Sequence, residues 1–277
     1  MRKYTFFLIA FVICLTICLA DRPIGPEAIF FDVGQGDALA FRTPGNKIIL
    51  VDGGPDLLLI PQLAKWMGYR ERVIDMVILS HDHDDHSSAL PEIVERYEVL
   101  RAVLPAQASS SETIALIKAL DEDGVEIIRP NQSKCIDLEP ECSICILVPL
   151  KQFLSTKDLN NTSFGLHFNC AGLRVAAAGD ATKALERSYL VQLSDWQADV
   201  FKASHHGSDT SNDETFIGEI NPALMVISVG INNSYGHPSA AVINRARGLG
   251  VGIWQTDKDS SVRIYAKDKQ IFVESWP

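Results

Sequence analysis

A dense group of polar side chains stands at residues 80–86, which read Ser-His-Asp-His-Asp-Asp-His and follow an apolar, strand-like segment. Three of the chain's seven histidines fall there. Imidazoles and carboxylates are the ligands that zinc-type ions take in proteins. His81 and His83, two positions apart in an extended loop, can both face one ion. Asp85 and His86 then turn towards a second position. We therefore predict a metal site here, in preference to a solvated acidic loop with incidental histidines.

Two further aspartates stand at the ends of apolar, strand-like segments. Asp52 closes the segment IILVDGG, and Asp180 closes the segment LRVAAAGD. Taken alone, Asp52 would be interpreted as a turn residue, and Asp180 as the N-cap of the helix predicted after it. Both repeat the pattern of the histidine cluster, in which a strand that ends in a loop delivers polar side chains there.

The His-x-His-x-Asp-His pattern of residues 81–86 resembles the signature of the metallo-β-lactamase superfamily. The resemblance implies an α+β fold, the αββα sandwich, in which two mixed sheets pack face to face with helices outside. It implies metal-dependent hydrolysis, with metal ligands at His81, His83, Asp85 and His86. By the same resemblance, Asp52 supports the metal loop from behind the ligands, and Asp180 bridges two ions.

Later segments resemble one subfamily, the hydrolase domain of the competence proteins ComEC/Rec2. The matching segments read FDVGQGDA at 31–38, ADVFKASHHGS at 198–208, ISVG and YGHP between 227 and 238, and TDKD at 256–259. They spread over nearly the whole chain after its first twenty residues. The His-His-Gly pattern also resembles a surface phosphorylcholine esterase of related fold, whose second histidine binds metal. By that resemblance His206 is a metal ligand, and His205 or His237 faces the substrate.

Residues 160–163, Asn-Asn-Thr-Ser, depart from the superfamily pattern, which usually supplies a further histidine ligand before the bridging aspartate. Competence domains tend to have Asn or Ser in this region. The departure removes a strong ligand from the His81/His83 site. It leaves three alternatives, which are weak metal binding, an oxygen ligand from Asn161, or a preference for Mn²⁺ over Zn²⁺. His167 is an alternative ligand, although a strand histidine with satisfied hydrogen bonds is the favoured interpretation.

The cofactors implied are two divalent ions, Zn²⁺ or Mn²⁺. Two such ions roughly 3.5–4 Å apart polarise a scissile group and lower the pKa of a water between them to about 7. Asp85 is expected to hold the nucleophile and to carry a proton. His205 or His237 would stabilise developing charge or protonate the leaving group. Lys202 and Ser208 are second candidates, for holding a phosphate oxygen, with surface or capping roles as the alternative.

The resemblance implies a phosphodiesterase acting on a small-molecule or polymer phosphodiester, with nucleic acid among the candidates. Asp180 disfavours a β-lactamase, because lactamases of this fold do not usually keep a carboxylate bridge. A lactonase or thioesterase stays an alternative. A different class of function is a non-catalytic module that keeps a structural metal and captures DNA or an envelope ligand. That module predicts stoichiometric metal without turnover.

The elements that must position these residues begin with strands, alternate strands with helices, and end with strands. Helices are predicted near 57–67, 87–97, 112–123, 181–193, 213–219 and 239–248. Strands are predicted near 28–33, 37–41, 47–51, 73–79, 99–104, 125–128, 143–149, 163–169, 173–178, 198–203, 223–229, 251–255, 261–266 and 270–275. This order indicates two sheets packed face to face with helices outside.

The first twenty residues read as a secretory signal peptide. Arg2 and Lys3 precede an almost wholly apolar stretch, and small residues before Asp21 indicate cleavage after Ala20. An uncleaved membrane anchor is the alternative, and a lipoprotein signal at Cys18 is a weaker one. We predict one hydrolase domain over residues 21–277, secreted or periplasmic, without an integral membrane domain after cleavage. No linker or internal repeat divides this range, and the sequence does not indicate an oligomeric state.

The balance of charge is acidic. The chain has 25 basic and 35 acidic residues, a net charge of −10. An acidic surface repels polyanions at long range, and no basic run offers a local footprint. A nucleic-acid substrate therefore gets no help from the overall field.

Four cysteines follow the signal segment, Cys135, Cys142, Cys145 and Cys170. In an exported protein they would tend to form disulfides. Pairing of Cys135 with Cys142 or Cys145 is geometrically easy, but the sequence leaves the pairing open. A zinc knuckle at Cys142-x-x-Cys145 is the disfavoured alternative.

Overall fold

The computed structural model describes residues 25–154 and 157–277. The predicted signal peptide, residues 1–20, lies outside the described residues. The strands are β1 (Glu27–Phe30), β2 (Leu39–Arg42), β3 (Ile48–Val51), β4 (Val73–Ile74), β5 (Met76–Ile78), β6 (Glu98–Val99), β7 (Arg101–Val103), β8 (Glu126–Ile128), β9 (Lys134–Glu139), β10 (Cys142–Leu147), β11 (Gly165–Cys170), β12 (Leu173–Ala177), β13 (Val200–Lys202), β14 (Leu224–Ile227), β15 (Gly252–Gln255), β16 (Ser261–Lys267) and β17 (Gln270–Trp276).

These strands form two large mixed sheets and a small one. The first has the order β17-β16-β1-β2-β3-β5-β7-β8, and the second has the order β15-β14-β13-β12-β11-β10-β9. Strands β4 and β6 pair in a separate two-stranded sheet. The predicted sandwich of two mixed sheets is confirmed.

The core between the two sheets follows from the alternation of side chains along each strand. In β1, Ala28 and Phe30 join the apolar cluster between the sheets, while Ile29 joins the cluster beneath the outer helices. The rings of Phe41 and Phe168 stack across the two sheets with their centroids 4.3 Å apart. Both faces of inner strands such as β1, β2 and β3 are therefore buried, which explains why their sequences read as continuous apolar runs.

Helices cover the outer face of each sheet. They are α1 (Leu59–Met67), α2 (Asp84–Ser87), α3 (Leu90–Arg96), α4 (Ser111–Glu122), α5 (Lys151–Leu154), α6 (Lys183–Tyr189), α7 (Glu214–Ile220), α8 (Ala240–Gly248) and α9 (Thr256–Asp259), with 3₁₀ segments at Leu159–Thr162 and Ser204–Gly207. Apolar residues of α1, α3 and α4 pack on the first sheet, and those of α6, α7 and α8 pack on the second. The four layers are thus helix, sheet, sheet, helix. None of the helices in the described part of the chain is long and apolar enough to cross a membrane.

Parallel pairing brings the site residues to one edge of the sandwich. Strand β3 runs parallel to β5, and β12, β13 and β14 run parallel to one another. The loops that carry the predicted site residues leave the carboxyl ends of these strands, except that Asn161 precedes β11 and Lys202 lies within β13. Such ends meet at the same edge of a sheet, where α/β proteins commonly form their binding sites.

Several predicted elements are shorter or split. The predicted strand 73–79 divides at Asp75, whose Oδ2 accepts a hydrogen bond of 2.9 Å from the amide of Ile48. The predicted helix 181–193 ends at Tyr189, whose carbonyl accepts a hydrogen bond from the indole of Trp196. Strand β9 was not predicted, because this edge strand is largely exposed and its sequence KCIDLE mixes charged and apolar residues.

Two disulfides join the three strands at one end of the second sheet. Cys135 of β9 pairs with Cys145 of β10, and Cys142 of β10 pairs with Cys170 of β11. In both disulfides the two residues stand directly opposite each other on neighbouring strands. The first pairing is one of those the sequence left open. The zinc-knuckle alternative is wrong, because Cys142 and Cys145 are each bonded to another cysteine.

Candidate metal centre

The loop after β5 carries the histidine cluster, and Asp52 holds this loop in place from β3. Asp52 Oδ1 accepts a hydrogen bond of 2.7 Å from the amide of Ser80. Its Oδ2 lies 2.9 Å from Nδ1 of His86. The second contact takes up one ring nitrogen of His86 and leaves Nε2 to face the other site residues. Asp52 thus lies behind the histidine loop and contacts both its backbone and the ring of His86.

Six predicted site residues converge into two overlapping groups of possible metal ligands. We call Asp85, His86, Asp180 and His206 the His86 group, and His81, His83 and Asp180 the His81 group. Within each group the ligand atoms lie within 4.8 Å of one another. Asp180 belongs to both, with Oδ1 at 3.4 Å from His86 Nε2 and Oδ2 at 3.9 Å from His81 Nε2.

Two buried atoms in the His86 group indicate that these residues fit a divalent cation. His86 Nε2 and Asp180 Oδ1 make no hydrogen bond with the described residues. A buried polar atom without a partner is costly, and native structures rarely keep one without a reason. A cation between these atoms would satisfy both. The nitrogen and carboxylate-oxygen donors suit Zn²⁺ or Mn²⁺.

The carboxylates and imidazoles of the centre stabilise one another's charged forms, and their pKa values show it. Burial alone would raise the pKa of Asp180, but His206 and His86 outweigh burial and hold it well below its usual range. Burial would lower the pKa of His206, yet Asp180 and Asp37 raise it to about 9. The pKa of Asp85 falls to about 2, because His86 and His206 outweigh the effect of burial. The ionised carboxylates of Asp85 and Asp180 attract a divalent cation.

A buried ion pair lies directly behind the His86 group. The ammonium of Lys202 contacts the Oδ2 of Asp37, and both side chains are almost fully buried. Asp37 Oδ1 lies 3.3 Å from Nδ1 of His206. This nitrogen is also 3.1 Å from the carbonyl of Ser228, so Nε2 of His206 is directed at Asp85. Sequence reasoning assigned no role to Asp37, although it stands in the quoted segment FDVGQGDA.

The turn that carries His205 and His206 has a strained backbone. Their φ values are 50° and 52°, in the left-handed region that favours glycine. Asn212 braces the turn, accepting a hydrogen bond from the amide of Ser204 and donating to the carbonyls of Ser204 and Ser208. The buried carboxylate of Glu186 in turn accepts a hydrogen bond of 2.9 Å from the backbone amide of Asn212. Neither Asn212 nor Glu186 was predicted. Asn212 contacts backbone groups of its own loop, and Glu186 contacts backbone groups 26 and 27 residues away.

Close backbone packing positions Asp180. Its amide donates a hydrogen bond of 3.1 Å to Ser163 Oγ. Gly179, the preceding residue, has a φ of +51°, and a Cβ atom there would stand 3.0 Å from Ser80 Oγ. A larger residue at 179 would therefore push the metal loop away from Asp180.

An open cavity of about 750 Å³ leads to both ligand groups. Its polar lining includes His83, Asp85, Asp180, His205, His206 and His237. The ring of Tyr235 stacks on that of His237 with centroids 6.0 Å apart, and Tyr235 is 70% exposed. The two histidines that the resemblance assigned to substrate, His205 and His237, both line this cavity beside the candidate metal ligands.

The family model that matches this chain is described as the metallo-beta-lactamase superfamily, and it matches residues 31–230. The chain belongs to the metallo-beta-lactamase superfamily. The matched range contains both ligand groups and most of the two sheets, so the fold and the histidine cluster identify the same superfamily.

Among curated proteins, ComE operon protein 3 of Bacillus subtilis is 26% identical to this superfamily member over 282 residues, covering 94% of this chain and 35% of that protein. Recombination protein 2 of Haemophilus influenzae is 24% identical and is covered to 31% of its length. The chain spans about a third of the length of these relatives. The resemblance to the ComEC/Rec2 proteins is confirmed.

Among solved structures, CmlA of Streptomyces venezuelae, described as a diiron β-hydroxylase, superimposes with a TM-score of 0.58. It is 13% identical to this chain, and the match covers 88% of this chain and 55% of CmlA. This similarity shows the shared fold of the superfamily.

Three predicted residues lie apart from the cavity in this superfamily member. Asn161, where the superfamily usually has a histidine, accepts a hydrogen bond of 2.6 Å from the hydroxyl of Thr182. The Oγ of Ser208 lies 2.9 Å from Thr210 Oγ1, and Lys202 is engaged with Asp37. His167, the alternative ligand, lies 3.0 Å from the carbonyl of Gln197 through Nε2, as expected for a strand histidine with a satisfied hydrogen bond.

Proposed function

We propose that the protein is a metal-dependent phosphodiesterase whose two ions are held by the His86 and His81 groups. The observation that carries the proposal is the position of Asp180 between the two groups. Its Oδ1 lies 3.4 Å from His86 Nε2, and its Oδ2 lies 3.7 Å from His206 Nε2 and 3.9 Å from His81 Nε2. When bound, two divalent ions would polarise the scissile phosphoryl group and activate water for attack. The superfamily supports metal-dependent hydrolysis, and CmlA, a diiron β-hydroxylase of the same fold, supports a pair of metals.

The charges around the cavity set limits on the substrate. Its described lining includes Asp82, Asp84, Asp85 and Asp180 but no lysine or arginine. A phosphate would be repelled by these carboxylates, so metal ions are needed for substrate binding as well as for chemistry. Long nucleic acids would gain nothing from the walls of the cavity, because phosphate tracking depends on basic residues. The proposal therefore favours a small or locally exposed phosphodiester over duplex DNA.

Three side chains are proposed to act on the substrate. Asp85 is 35% exposed and lies 3.2 Å from His206 Nε2, so its carboxylate can orient an attacking water at the floor of the cavity. His205 and His237 line the wall, with ring centroids 5.8 Å apart. Two imidazoles in this position can hydrogen-bond a phosphoryl oxygen and the leaving group.

Export of the protein is proposed with the function. The two disulfides support it, because such bonds persist in oxidising compartments and are rare in the cytosol. The apolar start of the chain, with Arg2 and Lys3 before it, supports the same proposal.

Hydrolysis of bis-p-nitrophenyl phosphate tests the proposal. The purified protein is assayed with Mn²⁺ or Zn²⁺ beside His83→Ala and Asp85→Ala variants, and His167→Ala serves as the matched histidine control. We expect metal-dependent turnover that falls at least about a hundredfold in the first two variants and is unchanged in the control.

Parallel assays with p-nitrophenyl acetate, a lactone and a β-lactam separate the alternatives. Turnover of these substrates without turnover of the phosphodiester would replace the proposal with a carbonyl hydrolase. Metal-loaded, folded protein that turns over none of them would contradict catalysis and indicate a binding module.

A further inference from the structure

A second cavity, of about 530 Å³, lies outside the metal centre. Its apolar walls come from Pro130, Val148, Pro149, Leu150, Leu154 and Phe164. Among the described residues, no side chain lines both this cavity and the one at the metal centre. Cavities of this size and apolar character are typical of small-molecule sites. We call it the Phe164 cavity.

Four polar side chains in the wall have hydrogen-bond partners inside the protein: Gln107, Ser133, Thr162 and Gln192. Ser133 Oγ donates a hydrogen bond of 2.6 Å to Gln192 and accepts one of 2.9 Å from the amide of Val148. Gln107 donates a hydrogen bond of 2.8 Å to the carbonyl of Leu154. These contacts fix the shape of the wall, so the cavity is preformed.

The charged residues in the lining are both cationic. Arg129 and Lys151 line the cavity, and no aspartate or glutamate stands among its described lining residues. Neither cation forms an ion pair with a residue that the structure describes, whereas the chain as a whole carries a net charge of −10. The Phe164 cavity is therefore positive and apolar within an acidic protein, the reverse of the carboxylate-lined metal cavity.

We infer that the Phe164 cavity binds one single-chain amphiphile, an alkyl chain with an anionic head group. The chain would lie against Val148, Pro149 and Phe164, which removes apolar surface from water on both sides. The head group would meet Arg129 and Lys151, and the planar guanidinium suits a carboxylate in particular. The volume of the cavity limits the occupant to one small molecule rather than a membrane surface. This inference does not depend on the proposed phosphodiesterase activity.

Calorimetric titration of the purified, metal-loaded protein with decanoate tests the inference. Decanol and decyltrimethylammonium, which carry the same alkyl chain with a neutral and a positive head, are titrated alongside, all below their micelle concentrations. We expect decanoate to bind at least about tenfold more tightly than either, because a charge-assisted contact is lost in both.

Variants locate the binding. The double variant Arg129→Gln/Lys151→Gln should bind decanoate about tenfold more weakly and bind decanol with unchanged affinity. Lys134→Gln, an exposed lysine next to the lining residue Ser133, is the matched control and should change the affinity for decanoate less than about twofold. Ala106→Leu places a larger side chain in the wall of the cavity and should lower the affinity for both decanoate and decanol.

Three results would overturn the inference. One is decanoate binding no tighter than decanol, or no binding at all. Another is equal loss in the Arg129/Lys151 variant and in the Lys134 control. The third is loss of decanoate binding in His206→Ala, because it would place the carboxylate on the metal centre instead. Since every readout is binding, failure of the phosphodiesterase proposal leaves this test intact.

Discussion

At the scale of single residues, the centre is organised by groups that do not face the substrate cavity. Asp52 fixes one ring nitrogen of His86, and Asp37 with Ser228 fixes one of His206. In both histidines the opposite nitrogen, Nε2, is then directed at Asp180 or Asp85. The metal ligands therefore depend on a buried second layer, whose loss should be measurable without any change to a ligand.

Asp52→Asn should weaken metal binding by about 10- to 100-fold. The new amide oxygen can still accept from Ser80, but its NH₂ group would donate to Nδ1 of His86. That contact moves the imidazole proton to Nε2, where it blocks a cation. Chelator competition measures the affinity, with the exposed Asp56→Asn as control. Equal affinities in the two variants would contradict the orienting role of Asp52.

Lys202→Met should lower the free energy of unfolding by about 3–5 kcal/mol, because the buried carboxylate of Asp37 loses its cation. Adding Asp37→Asn should recover part of the loss. Urea unfolding measures both. Arg96→Met breaks an exposed pair with Glu92 and should cost about 0.5 kcal/mol or less. If Lys202→Met and Arg96→Met lower the free energy of unfolding by similar amounts, the buried pair stabilises the fold no more than the exposed pair does.

At the scale of elements, the sequence predicts the strands better than the contacts between distant loops. Apolar runs such as 47–51 predict strands, because both faces of each sheet are covered, and the His-x-His-x-Asp-His pattern marks the metal loop. The bracing of the turn at His205 by Asn212 and Glu186 is not predictable in this way. It depends on the side chain of Glu186, which reaches backbone groups of a loop 26 and 27 residues away, and on Asn212 folding back on its own loop. No periodic sequence pattern records such contacts.

Glu186 should make stability depend on pH. Burial raises its pKa to about 7, so the folded protein holds a proton more tightly than the unfolded chain. Its contribution is fully present below about pH 4.5 and is lost as pH rises through about 7, a change of about 3 kcal/mol. Glu186→Gln should remove this part of the pH profile in urea unfolding, and the exposed Glu214→Gln should not. If stability of the Glu186→Gln variant still falls between about pH 4.5 and 7 as in the wild type, the assignment is contradicted.

At the scale of the whole molecule, two disulfides reinforce the edge of the second sheet farthest from its parallel strands. Replacing Cys142 and Cys170 by serine should destabilise the protein by about 1 kcal/mol more than replacing Cys135 and Cys145. The reason is that the Cys142–Cys170 disulfide closes the longer loop. The sequence separations are 28 and 10 residues. Unreduced peptide mapping checks the pairing, and urea unfolding checks the difference. A Cys135–Cys142 peptide, or the reverse order of stability, would contradict the account.

The two cavities of the molecule carry charges of opposite sign. The metal cavity is lined by carboxylates, while the Phe164 cavity holds two cations that have no ion-pair partner among the described residues. A protein with a net charge of −10 thus keeps this positive potential away from the proposed reaction site. Metal ions are therefore central to the account, since without them the site repels the substrate proposed for it.

The metal content of the purified protein shows whether the two ligand groups hold two ions. The protein is purified without chelators, supplied with Zn²⁺ or Mn²⁺, desalted and analysed by inductively coupled plasma mass spectrometry. We predict about two ions per chain in the wild type and in His167→Ala, about one in His206→Ala, and fewer still in Asp180→Ala. A wild-type protein without bound metal, or a His206→Ala variant that holds as much metal as the wild type, would contradict the account.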